Sequence, residues 1–304
     1  VEFERVIAQT LPAVHHCPLD DAPRYRPARQ AVDSMPEIDR VFIVGIDFRD
    51  VHRVLAAAED VVRRSRSTYI YVFDALLDTR KLTWPNAVLT RIPWYRAISK
   101  LPGAQLFIPV GGMVDRMSDI LDRQVHFLPI GVDTTLASPR VPRSIDVNAY
   151  GRQPVGVLDE LQAAMPRERL LYWTAHTDLG HCHDLEGQRD MFWKLLSRSR
   201  VALAYDPMAE GRSGRFNSPF VGQRWFESLA AGCVVMGKAP RCPETAELFD
   251  WPDAVVELGG TWAEQARAII DLAADDEAVA RIRERNLSNI GRHDWRVRLA
   301  HMVG

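Results

Sequence analysis

The chain has 304 residues, 47% of them hydrophobic and 26% charged; at about 150 residues per domain this is two α/β lobes or one large one, with too much core for a disordered or fibrous protein. Its 38 basic and 40 acidic side chains leave a net charge of −2, which removes any bulk electrostatic case for binding nucleic acid and requires an anionic partner to be recognised locally. No apolar run approaches the roughly 18 residues of a membrane span, and the first turn-rich stretch carries Glu2, Glu4, His15 and His16 where a secretory signal needs an apolar core, so a cytoplasmic protein is expected. Cys17, Cys182, Cys233 and Cys242 lie far apart without a CxxC pair, which suits reduced thiols. Residue 1 is Val rather than Met, which leaves the natural start open.

In chain order, Val1 to Ile38 carries Pro12, Pro18, Pro23, Pro27 and Pro36 and reads as mostly irregular around one short helix or strand. Val41 to Ile46 is an apolar run ended by Asp47, the pattern of a buried parallel strand. Val51, Val54, Leu55, Ala58, Val61 and Val62 have helical spacing within Val51 to Arg66. Strands are predicted at Tyr69 to Phe73, Gln105 to Val110 and Val125 to Pro129. Helices are predicted from Arg91 to Lys100 and from Gly111-Gly112 to Leu121. The second half repeats the alternation. Its predicted strands are Ser144 to Tyr150, Arg169 to Ala175, Val201 to Tyr205 and Cys233 to Met236; its helices are Leu158 to Ala164, Arg189 to Leu196, Gln223 to Ala231, Trp262 to Ala273 and Glu277 to Ile290. Such alternation specifies parallel sheets with helical crossovers. The Pro-rich segment Ser138 to Arg143 is the natural linker.

Ligands of open parallel sheets bind beyond the carboxyl ends of the strands, so the candidates are Asp47, Asp74, Gly111, Gly112, Gly151, Arg152, His176 and Asp206. Asp47 and Asp74 read either as N-cap or turn acids or as a general base or ligand of an acceptor hydroxyl. The strongest local pattern is Gly222-Gln-Arg-Trp-Phe-Glu227-Ser-Leu-Ala-Ala-Gly232 running into an apolar strand. Its small residues allow close approach of helix and sheet, and Glu227 one turn in is suited to holding a vicinal diol. Arg224 either pairs with Glu227 or points to the same ligand. Arg212 to Asn217 reads as an anion cradle or as a solvated loop. His181, Cys182 and His183, near His176 and Asp184, have metal-ligand chemistry, but three adjacent residues rarely reach one tetrahedral ion, and no metal is expected. Arg281, Arg283, Arg285, Arg292, Arg296 and Arg298 could touch a membrane surface or a phosphate backbone, although Asp275, Asp276, Glu277 and Glu284 dilute them toward a solvated helix.

Four strings stand in order: Leu128-Pro-Ile-Gly-Val-Asp133, Asn148-Ala-Tyr-Gly-Arg152, the Gly222 to Val235 segment, and His293-Asp-Trp295. Together they resemble the GT-B glycosyltransferases of the group 1 (GT4-like) families, especially the branch with CgeB-like proteins, from about Gly103 to the C-terminus. The resemblance implies two Rossmann-like parallel-sheet lobes facing a cleft, the first abbreviated. Residues 1–138 would be the acceptor-side domain, 139–288 the nucleotide-sugar donor domain and 289–304 a C-terminal helix packing back on the first. It implies a retaining, metal-independent transfer from a nucleotide-diphosphate sugar to a small-molecule, glycan or glycolipid acceptor, with no cofactor besides the donor. Glu227 would bind the donor's ribose hydroxyls, Gly222 would face its sugar or diphosphate, and Arg152 would neutralise the departing diphosphate, where charge develops. Asp47 or Asp74 would orient the acceptor, and Gly111 and Gly112 would contact the donor. Three departures from the family pattern stand out. Pro219 occupies the position of the first of two paired glutamates, which Asn217, Ser218 or Glu210 could replace. No lysine follows Gly151-Arg152, so Arg212, Arg215 or Lys238 would supply the second cation. The glycine-rich loop expected early in the first lobe is not visible in Val1 to Asp39. These departures keep open a catalytically silent binding protein or a sugar-nucleotide epimerase of the same fold.

Overall fold

The structure is a computed structural model that describes residues 2–19, 22–75, 93–101, 103–168, 170–175, 184–206 and 219–304. It contains two compact units. Unit 1 gathers the chain up to Ile130 with Trp295–Gly304, and unit 2 gathers the described residues from Gly131 to Asp294.

Unit 1 is built on a parallel sheet in the order β1 (Ile38–Gly45), β2 (Ser65–Val72), β3 (Ala104–Ile108), β4 (Val125–Phe127). Between the strands run α3 (Phe48–Arg64), α4 (Pro93–Ser99) and α5 (Val114–Leu121). The apolar run that predicts β1 includes Ile46, but the strand stops at Gly45 and Ile46 is exposed. The reason is local: Asp47 takes the N-cap of α3 and starts the helix there.

The opening segment differs from its irregular prediction. It forms α1 (Glu2–Thr10) and α2 (Ala22–Asp33). Phe3, Val6 and Ile7 lie one turn apart and are buried, which outweighs the proline signals that follow them. Pro27 stands inside α2, where it forfeits a backbone bond. Tertiary contacts offset that cost, because Arg29 of the same helix donates to Ala57 O at 3.0 Å and to the Asp60 carboxylate at 2.6 Å on α3.

The last helix, α12 (Trp295–Val303), belongs to unit 1. Trp295 is fully buried and lies flat on Phe3, with ring centroids 4.4 Å apart; Tyr71 and Phe73 meet it edge-on at 5.7 and 5.6 Å. The chain's first helix, its second strand and its last helix therefore share one aromatic core.

Unit 2 holds a parallel sheet in the order β6 (Tyr172–Ala175), β5 (Ile145–Tyr150), β7 (Ser199–Tyr205), β8 (Val234–Lys238), β9 (Val256–Glu257). Its helices are α6 (Val155–Ala164), α7 (Leu185–Ser197), α8 (Gln223–Ala230), α9 (Pro243–Leu248), α10 (Trp262–Ala274) and α11 (Asp276–Ile290). Val147, Val201, Leu203, Val234 and Met236 of the strands pack against Val157 and Leu161 of α6 and Ile269 and Ile270 of α10. Position 237 requires glycine: its φ is +154°, and a Cβ there would lie 1.9 Å from Ala204 O.

Arg143, ahead of β5, locks this sheet to its helices. Its guanidinium donates to Ser199 O at 2.5 Å and to Ala231 O, at the end of α8, at 2.6 Å. An Arg143→Ala substitution leaves both carbonyls without these donors and is expected to cost unit 2 about 2–3 kcal/mol in denaturant unfolding.

The Gly131-Val132-Asp133 and His293-Asp294 segments meet within the same unit. Val132 N donates to His293 O at 3.1 Å, and Thr134 gives both its N–H and its hydroxyl to one Asp294 oxygen, at 3.0 and 2.6 Å. His293 Nε2 donates in turn to Leu248 O at 2.8 Å.

Candidate functional site

In unit 2 the chain leaves β5 for β6 on one side and returns to β7 on the other. Connections that depart in opposite directions open a crevice at the carboxyl ends of the two strands, here between the end of β5 at Tyr150-Gly151-Arg152 and the end of β7 at Asp206. Gln153 spans these ends, its amide nitrogen donating to Tyr150 O at 2.9 Å and to Leu203 O at 2.8 Å. Residue 153 thus ties the two strands together and brings no charge where the family pattern has a lysine nearby.

Helix α8 starts beside this edge with Gly222 as its N-cap. Arg224, in its first turn, lies across the β5 loop: Nη1 donates to Arg152 O at 2.7 Å, and the guanidinium stands 5.7 Å from the Tyr150 ring centre. Glycine at 151 permits this. Its φ is +68°, and a Cβ would sit 2.7 Å from Arg224 Nη2. The Tyr150 hydroxyl donates to Arg224 O at 2.9 Å and lies 3.0 Å from the Ser228 hydroxyl. Burial lowers the Arg224 pKa, yet a guanidinium remains charged at any ordinary pH. Burial, with the nearby Glu227 charge, raises the Tyr150 phenol well above its usual value and keeps it a neutral donor.

One turn further along α8, Glu227 is only 4% exposed. A carboxylate so buried requires a counter-charge, and Arg189 of α7 provides one, with Nη2 2.6 Å from Oε1. The Arg189 guanidinium also covers the Phe192 ring at 4.4 Å, and Phe192 meets Tyr150 edge-on at 4.9 Å. The result is a continuous cluster in which two arginines flank an aromatic pair and a buried carboxylate.

The structure therefore brings Gly151, Arg152, Gly222, Arg224 and Glu227 together at one edge of unit 2. Arg152 is exposed there. Lys238 ends β8 on the same side of the sheet. Its carbonyl accepts from Asp206 N at 2.8 Å, and its ammonium stands 5.8 Å from the Trp262 ring centre. Arg212, Arg215, Asn217 and Ser218 lie outside the described residues, as do Glu210, His176, His181, Cys182 and His183. Asp184 caps α7, accepting from Gly187 N.

In unit 1, Asp47 accepts from the backbone N–H groups of Arg49 and Asp50 and pairs with the Arg49 side chain at 2.6 Å. Burial works against its ionisation, but the bonds from the Arg49 side chain and the two backbone donors outweigh it and hold the carboxyl below its ordinary value. Asp74 follows β2, exposed, and its N–H donates to Ile46 O at 2.6 Å. Both acids thus lie at the carboxyl edge of β1 and β2. Gly111 and Gly112 open the short turn Gly111–Met113 after β3, at the same edge.

Two of the basic residues near the C-terminus pair with acids within the fold, and a third is buried. Arg285 pairs with Asp253 at 2.7 Å and Arg292 with Asp250, while burial pushes the Arg298 pKa down to about 10. Among the described residues no helix is long and apolar enough to cross a membrane.

Arg189 and Phe192 carry no signal in the sequence, because they fall inside an ordinary amphipathic helix and only the folded contacts with Glu227 and Tyr150 give them a role. Tyr150 stood in one of the motif strings, but nothing in its neighbourhood marked it as the ring between Arg224 and Phe192.

A family described as glycosyl transferase-like matches residues 151–304, half of the chain. No curated protein matches it by sequence. Among solved structures, it is similar to Anabaena HepE in complex with UDP and glucose, at 14% identity and a TM-score of 0.52, covering 99% of this chain and 88% of that one. It is similar also to HepE in complex with UDP-glucose, at 13% identity and a TM-score of 0.51, with the same coverage of both chains. A sequence match over the half that carries the Arg224–Glu227 cluster, joined to two parallel-sheet units of this topology, identifies the chain as a member of the glycosyl transferase-like family, a glycosyltransferase of the GT-B fold.

Proposed function

We propose that the enzyme transfers a sugar from a nucleoside-diphosphate sugar held by unit 2 to a small-molecule, glycan or glycolipid acceptor, with retention at the anomeric carbon and without a metal ion. The observation that carries this reading is the packing of Arg224 on Gly151-Arg152 with Glu227 one turn away. It provides cations for a diphosphate and a carboxylate for a ribose diol at a single switch point. In the transfer, the bond from the anomeric carbon to the diphosphate oxygen breaks. The acceptor oxygen bonds to the same face of that carbon, and its proton passes to the departing diphosphate. Arg152 and Arg224 stabilise the charge that gathers there. The N-terminus of α8 at Gly222 adds its partial positive charge.

Lys238, Arg212 and Arg215 are assigned to the donor as further cations, and Asn217 and Ser218 as sugar ligands in place of the carboxylate that Pro219 replaces. The backbone of Gly111 and Gly112 is assigned to the donor as well. Unit 1 takes the acceptor side, with Asp47 or Asp74 orienting the hydroxyl.

A panel of UDP, GDP and dTDP tests the donor site, with UDP first because HepE, similar in fold, is solved with UDP-glucose. One of the three is expected to raise the melting temperature; no shift with any of them would remove the donor reading. Asp47→Asn and Asp74→Asn test retention. Asn caps a helix as well as Asp does, so Asp47→Asn removes the charge and preserves α3. Turnover is expected to persist in both variants, whereas its abolition in either would assign that acid as the general base of an inverting reaction.

A further inference from the structure

We infer that Arg189 is a positioning residue for donor recognition, which holds the Glu227 carboxylate ionised and oriented so that it can accept hydrogen bonds from the ribose hydroxyls. The inference rests on the reading of Glu227 as the ribose ligand and adds to it a second residue on a different helix.

The argument starts from burial. A carboxylate that is 4% exposed loses most of its hydration, and without a counter-charge it takes up a proton. The protonated acid is a donor as well as an acceptor, and it accepts hydrogen bonds from two hydroxyls more weakly than the charged carboxylate does. Among the described residues, the charged and titratable groups acting on Glu227 include Arg189 from α7, Arg224 from its own helix and Tyr150 from β5. Tyr150 is neutral, and its hydroxyl is directed to Arg224 O and Ser228. Arg224 spends Nη1 on Arg152 O. Arg189 is in direct contact, 2.6 Å from Oε1. It is itself held by the Phe192 ring at 4.4 Å and lies 5.7 Å from that of Trp193, which is buried. Stacking restricts the guanidinium plane and so fixes where Oε1 is drawn.

The test measures the affinity of whichever of UDP, GDP and dTDP stabilises the wild type most, between about pH 7 and about pH 9, above the second phosphate ionisation. The wild-type affinity is expected to be flat across this range. Arg189→Gln is expected to bind about tenfold more weakly at the low end and to recover as the pH rises and Glu227 loses its proton. Arg189→Lys keeps the charge and is expected to restore both the affinity and the flat profile. A loss in Arg189→Gln that does not change with pH would assign Arg189 to packing alone and overturn the inference. So would unchanged affinity, and so would tighter binding, which would mean that the guanidinium competes with the ribose. Glu227→Gln separates this failure from that of the underlying reading: if that variant binds the nucleotide as well as wild type, Glu227 is not the ribose ligand.

Discussion

The Glu227→Gln substitution is expected to lower kcat/KM for the nucleoside-diphosphate sugar by about 100-fold. Two hydrogen bonds from ribose hydroxyls to an ionised carboxylate are worth about 1.5 kcal/mol each beyond what water offers, and about 1.4 kcal/mol is a factor of ten. The ribose is remote from the reacting carbon, so most of the loss should fall on KM, as it does when an interaction is equally strong in ground and transition states. Glutamine has nearly the volume of glutamate, so the packing of α8 survives. Removing the negative charge also turns the Arg189–Glu227 ion pair into at most a neutral hydrogen bond, an effect that a thermal melt of the variant measures separately. Initial rates over a range of donor concentrations check the prediction; a fall of less than about threefold would be too small for two charged hydrogen bonds.

The second large effect concerns stability. Trp295→Ala is expected to cost unit 1 about 4 kcal/mol, the usual price of truncating a fully buried large aromatic. The cavity would be lined by Phe3 of α1, Tyr71 of β2 and Phe73 just after β2. Close packing around the cavity limits relaxation, which puts the cost at the high end. Denaturant unfolding followed by tryptophan fluorescence and circular dichroism measures it. A loss within about 1 kcal/mol would show that α12 adds little to the core of unit 1.

Much of the sheet architecture can be read from the sequence because parallel strands buried on both faces are written as apolar runs. Tyr69 to Phe73 and Val201 to Tyr205 announce themselves in this way, and Val41 to Ile46 is written alike although it forms the half-buried edge strand β1. Ends are less legible. Ile46 belongs to the run but not to the strand, since the capping bonds of Asp47 decide where α3 begins. The two opening helices were hidden for a different reason: Pro12, Pro18, Pro23, Pro27 and Pro36 give strong local signals of irregular chain, while Phe3 and Arg29 find their partners in distant segments. Local propensity loses to tertiary contacts there.

The site divides in the same manner. Glu227 and Arg224 lie within one short helix and Gly222 caps it, so a single string contains them. Arg189 stands 38 positions before Glu227, and only the tertiary fold makes them neighbours. The conformational demand at Gly151 is likewise invisible until Arg224 is seen lying against it. Arg143, which reads as linker, is fixed to the ends of distant elements by its two carbonyl bonds.

Everything proposed for unit 2 depends on whether Glu227 touches the ribose of a nucleotide. A double-difference measurement decides this, with calorimetric affinities of UDP and 2′,3′-dideoxy-UDP, or of the corresponding pair for another base, determined for wild type and for Glu227→Gln. Removing the hydroxyls is expected to weaken binding to wild type by about 100-fold and to leave the already weakened variant unchanged. Equal losses in both proteins would mean that the carboxylate and the ribose do not interact.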